Sequence, residues 1–330
     1  MFQRILVPLD GSFRAEQALP IAARIARSTG GSLLLVQVVS PLIDYSGGLS
    51  PVSLVNDQVY EAELVAATNY LKSLATSSEL SGIKIKTEVL FGLPVQRLLA
   101  LAKAPGSDLI VMCSHGRTGL TRWVLGSVAH ALVYQCTLPI LVLRQDGVSS
   151  PLSHFHAAGP LHTLVPLDGS PLAEAVLCPA AYLTAALAGA FQGALHLSQV
   201  VKIFPSTAQE GFVSEFNEEA LQRAGIYLSQ VEERMKPEMK DLQLSLTHSV
   251  ELASDVVSAL VKLAEHGKVD KEGAPEEKVA PCDLIAISTH GRGGLERWVI
   301  GSIVERLLHA TKLPLLIVRP PKEGEEGYHA

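Results

Sequence analysis

Two short segments each occur twice in this chain, and both are built from residue types that hold anions. The first reads Val-Pro-Leu-Asp-Gly-Ser at residues 7–12 and again at 165–170, an offset of 158. The second reads Ser114-His115-Gly116-Arg117, and nine residues after Gly116 come Gly126-Ser127; Thr289-His290-Gly291-Arg292 and Gly301-Ser302 repeat it at the same interval. An Asp-Gly-Ser after a strand is enough to cap the next helix, because an Asp or Ser oxygen accepts the free N–H groups of its first turn. Two glycines at a repeated interval ask for more than a cap. Glycine lets a phosphate approach the main chain closely. A Gly-Ser at a helix start offers free N–H donors, a hydroxyl and the positive end of the helix dipole. Arg117 and Arg292 either add charge there or stand solvated. An acidic residue on one side suits a ribose hydroxyl or an amino group, and a glycine loop suits phosphates. That outlines a nucleotide pocket, provided that the fold brings the two segments to one crevice.

The elements that must position them form an α/β framework. Residues 114–144 match 289–319 at 15 of 31 positions, an offset of 175, so the repeat is a whole domain. The helical pattern from Val95 to Ala102 aligns with Val257 to Ala264 at an offset of 162, so the second copy gains 13 residues within 266–281. That segment is charged and punctuated by Gly and Pro, and it reads as a surface loop. In the first copy, strands are expected at Ile5–Leu9, Leu33–Val39, Ile83–Phe91, Leu109–Met112 and Ile140–Leu143. Helices are expected over Arg14–Ser28, Tyr60–Ser77, Val95–Lys103 and Ser127–Gln135. The second copy follows the same order, with Glu215–Lys236 as its second helix. Nearly continuous apolar strands alternating with helices imply a parallel sheet covered on both faces. The expected fold class is α/β, with two tandem doubly wound domains at 1–144 and 161–320, a linker at 145–160 and a tail at 321–330. In such sheets ligands sit beyond the carboxyl ends of the strands where strand order reverses. A first strand beside a fourth then brings Asp10 to Gly116, and Asp168 to Gly291.

Composition excludes several function classes. The 330 residues are 48% hydrophobic and 18% charged, which is neither disordered nor fibrous. The net charge of −6 is uneven: residues 1–144 carry 12 basic and 9 acidic side chains, and residues 145–330 carry 15 and 24. With no basic run and no Arg/Lys stripe among aromatics, nucleic acid is not an expected partner. The four cysteines are far apart and form no C-x-x-C, which fits reduced thiols in a cytoplasmic protein. The apolar run Ile5-Leu6-Val7 is short for a signal peptide. Residues 175–201 lack charge and are long enough to cross a bilayer, but Pro179, Gly189, Gly193 and His196 interrupt them. The repeat assigns that stretch to a helix, a turn and a strand, so no membrane partner is expected.

With both segments present in both copies, the chain resembles a tandem universal stress protein over nearly its whole length outside linker, insertion and tail. Nucleotide-binding members of that family carry Gly-x-x-Gly, nine residues, then Gly-Ser or Gly-Thr. The resemblance implies a five-stranded sheet in each domain and a bound adenine nucleotide, ATP with ADP or AMP as alternatives, together with Mg²⁺. It places the nucleotide against Pro8, Asp10, Val38, Met112, Cys113, Gly116, Arg117, Gly126, Ser127 and Val128 in the first copy. The matching positions of the second copy are Pro166, Asp168, Val200, Ile287, Ser288, Gly291, Arg292, Gly301, Ser302 and Ile303. It also implies pairing of the two repeats through their last strands, a homodimer, and a regulatory protein partner in a stress response.

Both copies depart from the family pattern at the first glycine of Gly-x-x-Gly, which is Cys113 in one and Ser288 in the other. Each is small, yet each sets a Cβ where close backbone approach was easiest. The second copy departs further, with Ser254 in place of Gly92 and the inserted loop, so the first is favoured if one site alone is filled. Cys113 reads as a packed thiol or as a redox-sensitive one beside the pocket. His115 and His290 read as acid–base groups or, with no evident carboxylate partner, as structural hydrogen bonders, and Trp123 and Trp298 as a partner surface or, by default, as half-buried helix-flanking aromatics. Tyr182 and Ala185 replace Arg24 and Arg27 of the first copy, so another domain or chain is expected to cover that helix face. The expected function is a nucleotide-binding regulatory protein rather than an enzyme. One alternative is an interaction scaffold of the same fold without nucleotide, for which Cys113 and Ser288 speak. The other is an adenine-nucleotide enzyme of ATP pyrophosphatase or adenylyltransferase type. Against that, the chain has no S-G-G-x-D-S, H-x-G-H, G-x-x-x-x-G-K-[ST] or G-x-G-x-x-G.

Overall fold

Runs of Leu, Ile and Val too apolar to face water on either side become central strands, and the segments with one apolar stripe become the helices that cover them. The computed structural model describes residues 1–40, 57–104, 106–114, 125–144, 155, 160–203, 210–268, 279–291 and 300–321. The chain divides into two compact units, Phe2–Leu143 and Arg144–Ala330.

The first unit carries β1 (Arg4–Leu9), β2 (Ser32–Val39), β3 (Lys84–Phe91), β4 (Leu109–Cys113) and β5 (Ile140–Leu143) in a parallel sheet of order β3-β2-β1-β4-β5. Every residue of β4 and β5 is buried, while the edge strand β3 is part-exposed along its length. Its helices are α1 (Phe13–Glu16), α2 (Leu19–Thr29), α3 (Asp57–Ala75), α4 (Pro94–Lys103) and α5 (Ser127–Gln135). The second unit repeats the plan with β6 (Leu161–Pro166), β7 (Gly193–Lys202), β8 (Leu244–Ala253), β9 (Leu284–Ser288) and β10 (Leu315–Val318), in the order β10-β9-β6-β7-β8. Its helices are α6 (Pro171–Glu174), α7 (Leu177–Ala188), α8 (Glu210–Asp241), α9 (Val256–His266) and α10 (Ser302–Ala310). Each unit is thus the five-stranded, doubly wound α/β domain that the sequence pattern implies.

Two helices differ from expectation. The single helix expected over Arg14–Ser28 is broken into α1 and α2, because Pro20 lacks an N–H and is accommodated only in a first turn, where the chain restarts at Leu19. Helix α8 runs past the expected end at Lys236 and carries Pro237 inside it. The buried Met235 and Met239 hold those last turns on the core, which offsets the hydrogen bond Pro237 cannot make. The uncharged stretch forms α7, a turn and β7, as expected. Pro171–Ala188 is long and apolar enough to cross a membrane, and 61% of it is buried. Cys178 Sγ of α7 donates to Glu238 Oε2 at 3.4 Å, so the extended end of α8 lies beside this helix. Tyr182 and Ala185, the positions expected to be covered by another domain or chain, are half-buried.

The insertion has a defined neck. Lys268 and Val279 form an antiparallel bridge with N–H···O distances of 2.9 and 3.2 Å. Gly267 sits at φ +68° with the Val279 carbonyl where a Cβ would stand, so only glycine fits. Residues 269–278, the tail from 322 onward and the linker apart from Phe155 and Pro160 lie outside the described residues.

The interior of the second unit is more polar than that of the first. Register pairs Leu6 with Leu34 in one unit and Leu164 with His196 in the other. His196 is buried, and its Nδ1 and Nε2 share hydrogen bonds with Thr247 Oγ1 at 2.8 Å and Ser249 Oγ at 2.9 Å. Thr163 and Thr184, where the first unit has Ile5 and Ala26, pair through their hydroxyls at 2.7 Å. Burial, with the positive ends of His248, His162 and Lys268 nearby, pushes the His196 imidazole down to about 4. The folded chain therefore holds fewer protons than the unfolded chain between that value and about 6.5, and its stability falls as pH drops through this window. Urea unfolding should show the second unit losing about 2–3 kcal/mol between pH 7 and pH 4.5 from this group. His196→Leu, which restores the first unit's residue, should remove that slope. A pH dependence identical in parent and variant would contradict the assignment.

Candidate functional site

Where β1 ends, the chain turns through Asp10-Gly11-Ser12. Asp10 Oδ1 accepts from Ser12 N at 3.0 Å and from Ser12 Oγ at 2.6 Å, and Ser12 Oγ accepts from Ala15 N at 3.2 Å. The second unit repeats this: Asp168 Oδ1 accepts from Ser170 N at 2.9 Å and Oγ at 2.7 Å, and Ser170 Oγ caps α6 from Ala173 N at 3.2 Å. Gly11 and Gly169 take φ of +81° and +87°, a turn that favours glycine. Capping therefore accounts for Ser12 and Ser170, whereas the aspartates orient those serines and stand at the strand ends.

Strand β1 pairs with β2 on one side and β4 on the other, with Ile5 opposite both Leu33 and Leu109. Strand order reverses between β1 and β4, and a cavity of about 720 Å³ opens at their carboxyl ends. It is lined by Pro8, Asp10, Val38, Met112, Cys113, Gly126, Ser127 and Val128, which are all the candidates of the first copy within the described residues. His115, Gly116, Arg117 and Trp123 lie outside them, as do Arg292 and Trp298 of the second copy. Gly126 N–H donates to Ser114 O at 2.8 Å, which ties the start of α5 to the end of β4; Gly301 and Thr289 do the same at 2.9 Å. Glycine brings no side chain to cap α5 or α10, so no N-cap side chain takes up their first-turn N–H groups.

One wall of the cavity escaped the sequence reading. Helix α3 supplies Glu63, Ala66, Ala67 and Tyr70, β2 supplies Gln37, and α4 supplies Pro94 and Leu98. Tyr70 Oη donates to Glu16 Oε1 at 2.9 Å, which fastens α3 to the helix after the Asp10 turn. Tyr227 Oη donates to Glu174 Oε1 at 2.9 Å in the second unit, where Arg234 also binds Glu174 at 2.7 Å. Burial, then the Glu174 carboxylate, pushes the Tyr227 phenol up, so the hydroxyl keeps the proton it donates. Aligning α3 with α8 would have shown this Glu–Tyr pair, since both partners recur.

The two residues that replace glycine behave differently. Cys113 is buried on the cavity lining; burial first, then the charge of Asp10, pushes its thiol up to about 12. It stays protonated at neutral pH, which favours packing over redox sensing. Ser288 Oγ instead donates to Leu172 O at 2.7 Å and joins β9 to α6. In the second unit the Asp168 carboxylate lies against Gly291, where a Cβ would collide with it, so those two segments do meet. His290 Nδ1 shares a hydrogen bond with Thr289 Oγ1 at 2.8 Å. A cavity of about 470 Å³ beside α8 touches Gly169 and Val200, but its lining includes none of Pro166, Asp168, Ile287, Ser288, Gly291, Gly301, Ser302 or Ile303. Among the described residues no group of three or more His, Cys, Asp or Glu could hold a metal ion.

Comparison with known proteins agrees with this architecture. The model of the universal stress protein family matches residues 1–144 and again 161–319. A universal stress protein of Mycolicibacterium smegmatis is 24% identical over 96% of this chain and 97% of its own. One from Methanocaldococcus jannaschii is 32% identical over 44% of this chain and 84% of its own. The crystal structure of a universal stress protein from Archaeoglobus fulgidus covers 97% of this chain and 99% of its own, with a TM-score of 0.61 at 17% identity, which shows the shared fold. The chain belongs to the universal stress protein family, with two copies of the domain in tandem.

Proposed function

We propose that this chain holds an adenine nucleotide, ATP first among them, in the cavity of its first repeat, and that it acts as a regulator rather than a catalyst. The observation that carries the reading is the convergence of three separate segments of the repeat, Pro8–Asp10, Met112–Cys113 and Gly126–Val128, together with Val38, on one cavity of about 720 Å³. That volume suits a ligand of nucleotide size. Val38 and Met112 offer apolar walls for a base, and the Asp10 carboxylate suits ribose hydroxyls. The uncapped N–H groups at the start of α5, the Ser127 hydroxyl and the helix dipole suit phosphates. Gly116 and Arg117 join the phosphate side by the family resemblance. Mg²⁺ fits this donor set through the phosphates, water and the Ser127 hydroxyl, since small hard cations keep several waters. In this reading nucleotide occupancy sets affinity for a protein partner.

Purified chain, once denatured, should release ATP at up to one equivalent for the first repeat. Ser127→Asp tests the site without threatening the helix, because an acidic residue in the first turn favours the dipole. It sets a negative charge against the phosphates and should weaken ATP binding by about tenfold or more. Ser302→Asp should leave that site unchanged. No released nucleotide, and no calorimetric binding of Mg-ATP at millimolar concentration, would move the reading to an interaction scaffold.

The state of Cys113 separates regulation by nucleotide from regulation by oxidation. With its thiol held near the value above, only about one molecule in ten thousand is thiolate at pH 8. Mass-spectrometric mapping after iodoacetamide should find Cys113 unlabelled until the first repeat unfolds. Labelling of native protein at a rate approaching that of a free thiol would restore the redox reading.

A further inference from the structure

Helix α8 is 32 residues long against 19 for its counterpart α3, and its middle turn differs in kind. With Tyr227 matched to Tyr70, Gly225 and Ile226 stand where the first repeat has Thr68 and Asn69. Gly225 lies inside the helix, and among the described residues nothing comes within 4 Å of where its Cβ would stand. Neither a turn nor packing within the chain therefore calls for glycine, which is a poor helix former. What glycine does allow in mid-helix is the close approach of another backbone. Beside it Ile226 is 60% exposed. The charges around this turn are ordered. Glu219, Gln222, Ile226, Ser229, Glu233 and Lys236 follow one another at intervals of three and four, which places them on one face, and all six are exposed. The stripe begins acidic and ends basic. Turning a second copy end over end about the middle of the stripe sets Glu219 opposite Lys236, Gln222 opposite Glu233 and Ile226 opposite Ser229. The matched positions of α3 are Ala62, Val65, Asn69 and Lys72 for the first four, without that order.

We propose that the outer face of α8 is an interface between two copies of this chain, with the two helices antiparallel about a two-fold axis that passes beside Ile226 and Ser229. A two-fold pairing is closed and uses one self-complementary face, which is what the ordered charges supply. Glu219 lies 3.9 Å from Arg223 Nε, and Lys236 pairs with Glu233. As exposed pairs within one helix these contribute little. Across the axis they join into a row of alternating sign: Arg223, Glu219, then Lys236 and Glu233 of the second copy. A parallel partner would set Glu219 on Glu219 and Lys236 on Lys236, so charge fixes the orientation. Ser229 is small and its hydroxyl shares a hydrogen bond with His248 Nε2 of its own chain at 3.4 Å, so an aliphatic neighbour leaves it paired. The interface rests neither on nucleotide in the first repeat nor on pairing through the last strands.

Sedimentation equilibrium of the full chain from about 1 to about 200 µM reads the association. A monomer–dimer equilibrium in the micromolar range is expected, since one helix pair is a small interface, and it should weaken as salt rises. Gly225→Thr and Ile226→Asn place the first repeat's residues on α8, and each should weaken the dimer about tenfold or more. Gly225→Ala should raise the thermal stability of the dilute monomer, because alanine is the better helix former, and yet weaken the dimer; a glycine with no second backbone against it would give the first effect alone. Glu219→Lys sets lysine against lysine and should abolish the dimer, and adding Lys236→Glu to the same chain should restore it. A chain that stays monomeric over this range, or a dimer that no α8 variant weakens, would overturn the interface. A double charge variant as weak as Glu219→Lys alone would overturn the antiparallel pairing. None of these residues lines the cavity of the first repeat, so ATP bound per chain should be equal in parent and variants, and the two readings fail separately.

Discussion

Everything at the candidate site depends on β1 being paired on both edges, by β2 on one side and β4 on the other. Crossovers between parallel strands keep one hand, so the connections leaving β1 and β4 go to opposite faces of the sheet. A crevice opens between them at the strand ends. The Asp10 turn and the start of α5 are brought to that crevice by strand order. The same constraint acts on β6, β7 and β9 in the second repeat, where Asp168 comes up against Gly291. A site of this kind needs no special folding energy, since the apolar strands that build the core also place the polar turns.

This explains which parts were legible in the sequence. Strands were readable because a parallel strand buried on both faces must be apolar throughout, and Leu109–Cys113 or Ile140–Leu143 leave few other readings. The repeat fixed which turns belonged together, and β1–β4 adjacency then gathered every first-copy candidate that the structure describes. Helix ends were less legible. Pro20 had to be weighed against a good apolar stripe, and Pro237 against Met235 and Met239, and in each case packing that a local pattern does not show decided the outcome. The α3 wall escaped for a related reason. A Tyr and a Glu that are 54 residues apart carry no local signal, and only the recurrence of both partners in the second repeat reveals that they bond.

The two repeats share a frame but have drifted differently inside it. The first keeps aliphatic residues at Ile5 and Leu34, while the second has Thr163 and His196 with every hydrogen bond of the imidazole satisfied. A buried polar cluster is tolerable only when its members pair, and these do, so the drift adds specificity and a pH response rather than disorder. Changes at the strand ends are of another kind. Cys113 and Ser288 both fill a glycine position, yet one remains on the cavity wall and the other is used to hold β9 against α6.

That contrast bears on how a tandem arrangement divides its work. A Cβ at the first glycine narrows the approach to the main chain in both repeats, so both begin with the same handicap toward a nucleotide. In the first repeat a cavity of about 720 Å³ still reaches Ser127 and Val128. In the second, the Ser288 hydroxyl is spent on Leu172, and the cavity beside α8 leaves Ser302 and Ile303 out of its lining. What recurs in both is the Tyr–Glu bond, Tyr70 to Glu16 and Tyr227 to Glu174, which fastens α3 and α8 beside the turn that follows the first strand of each repeat.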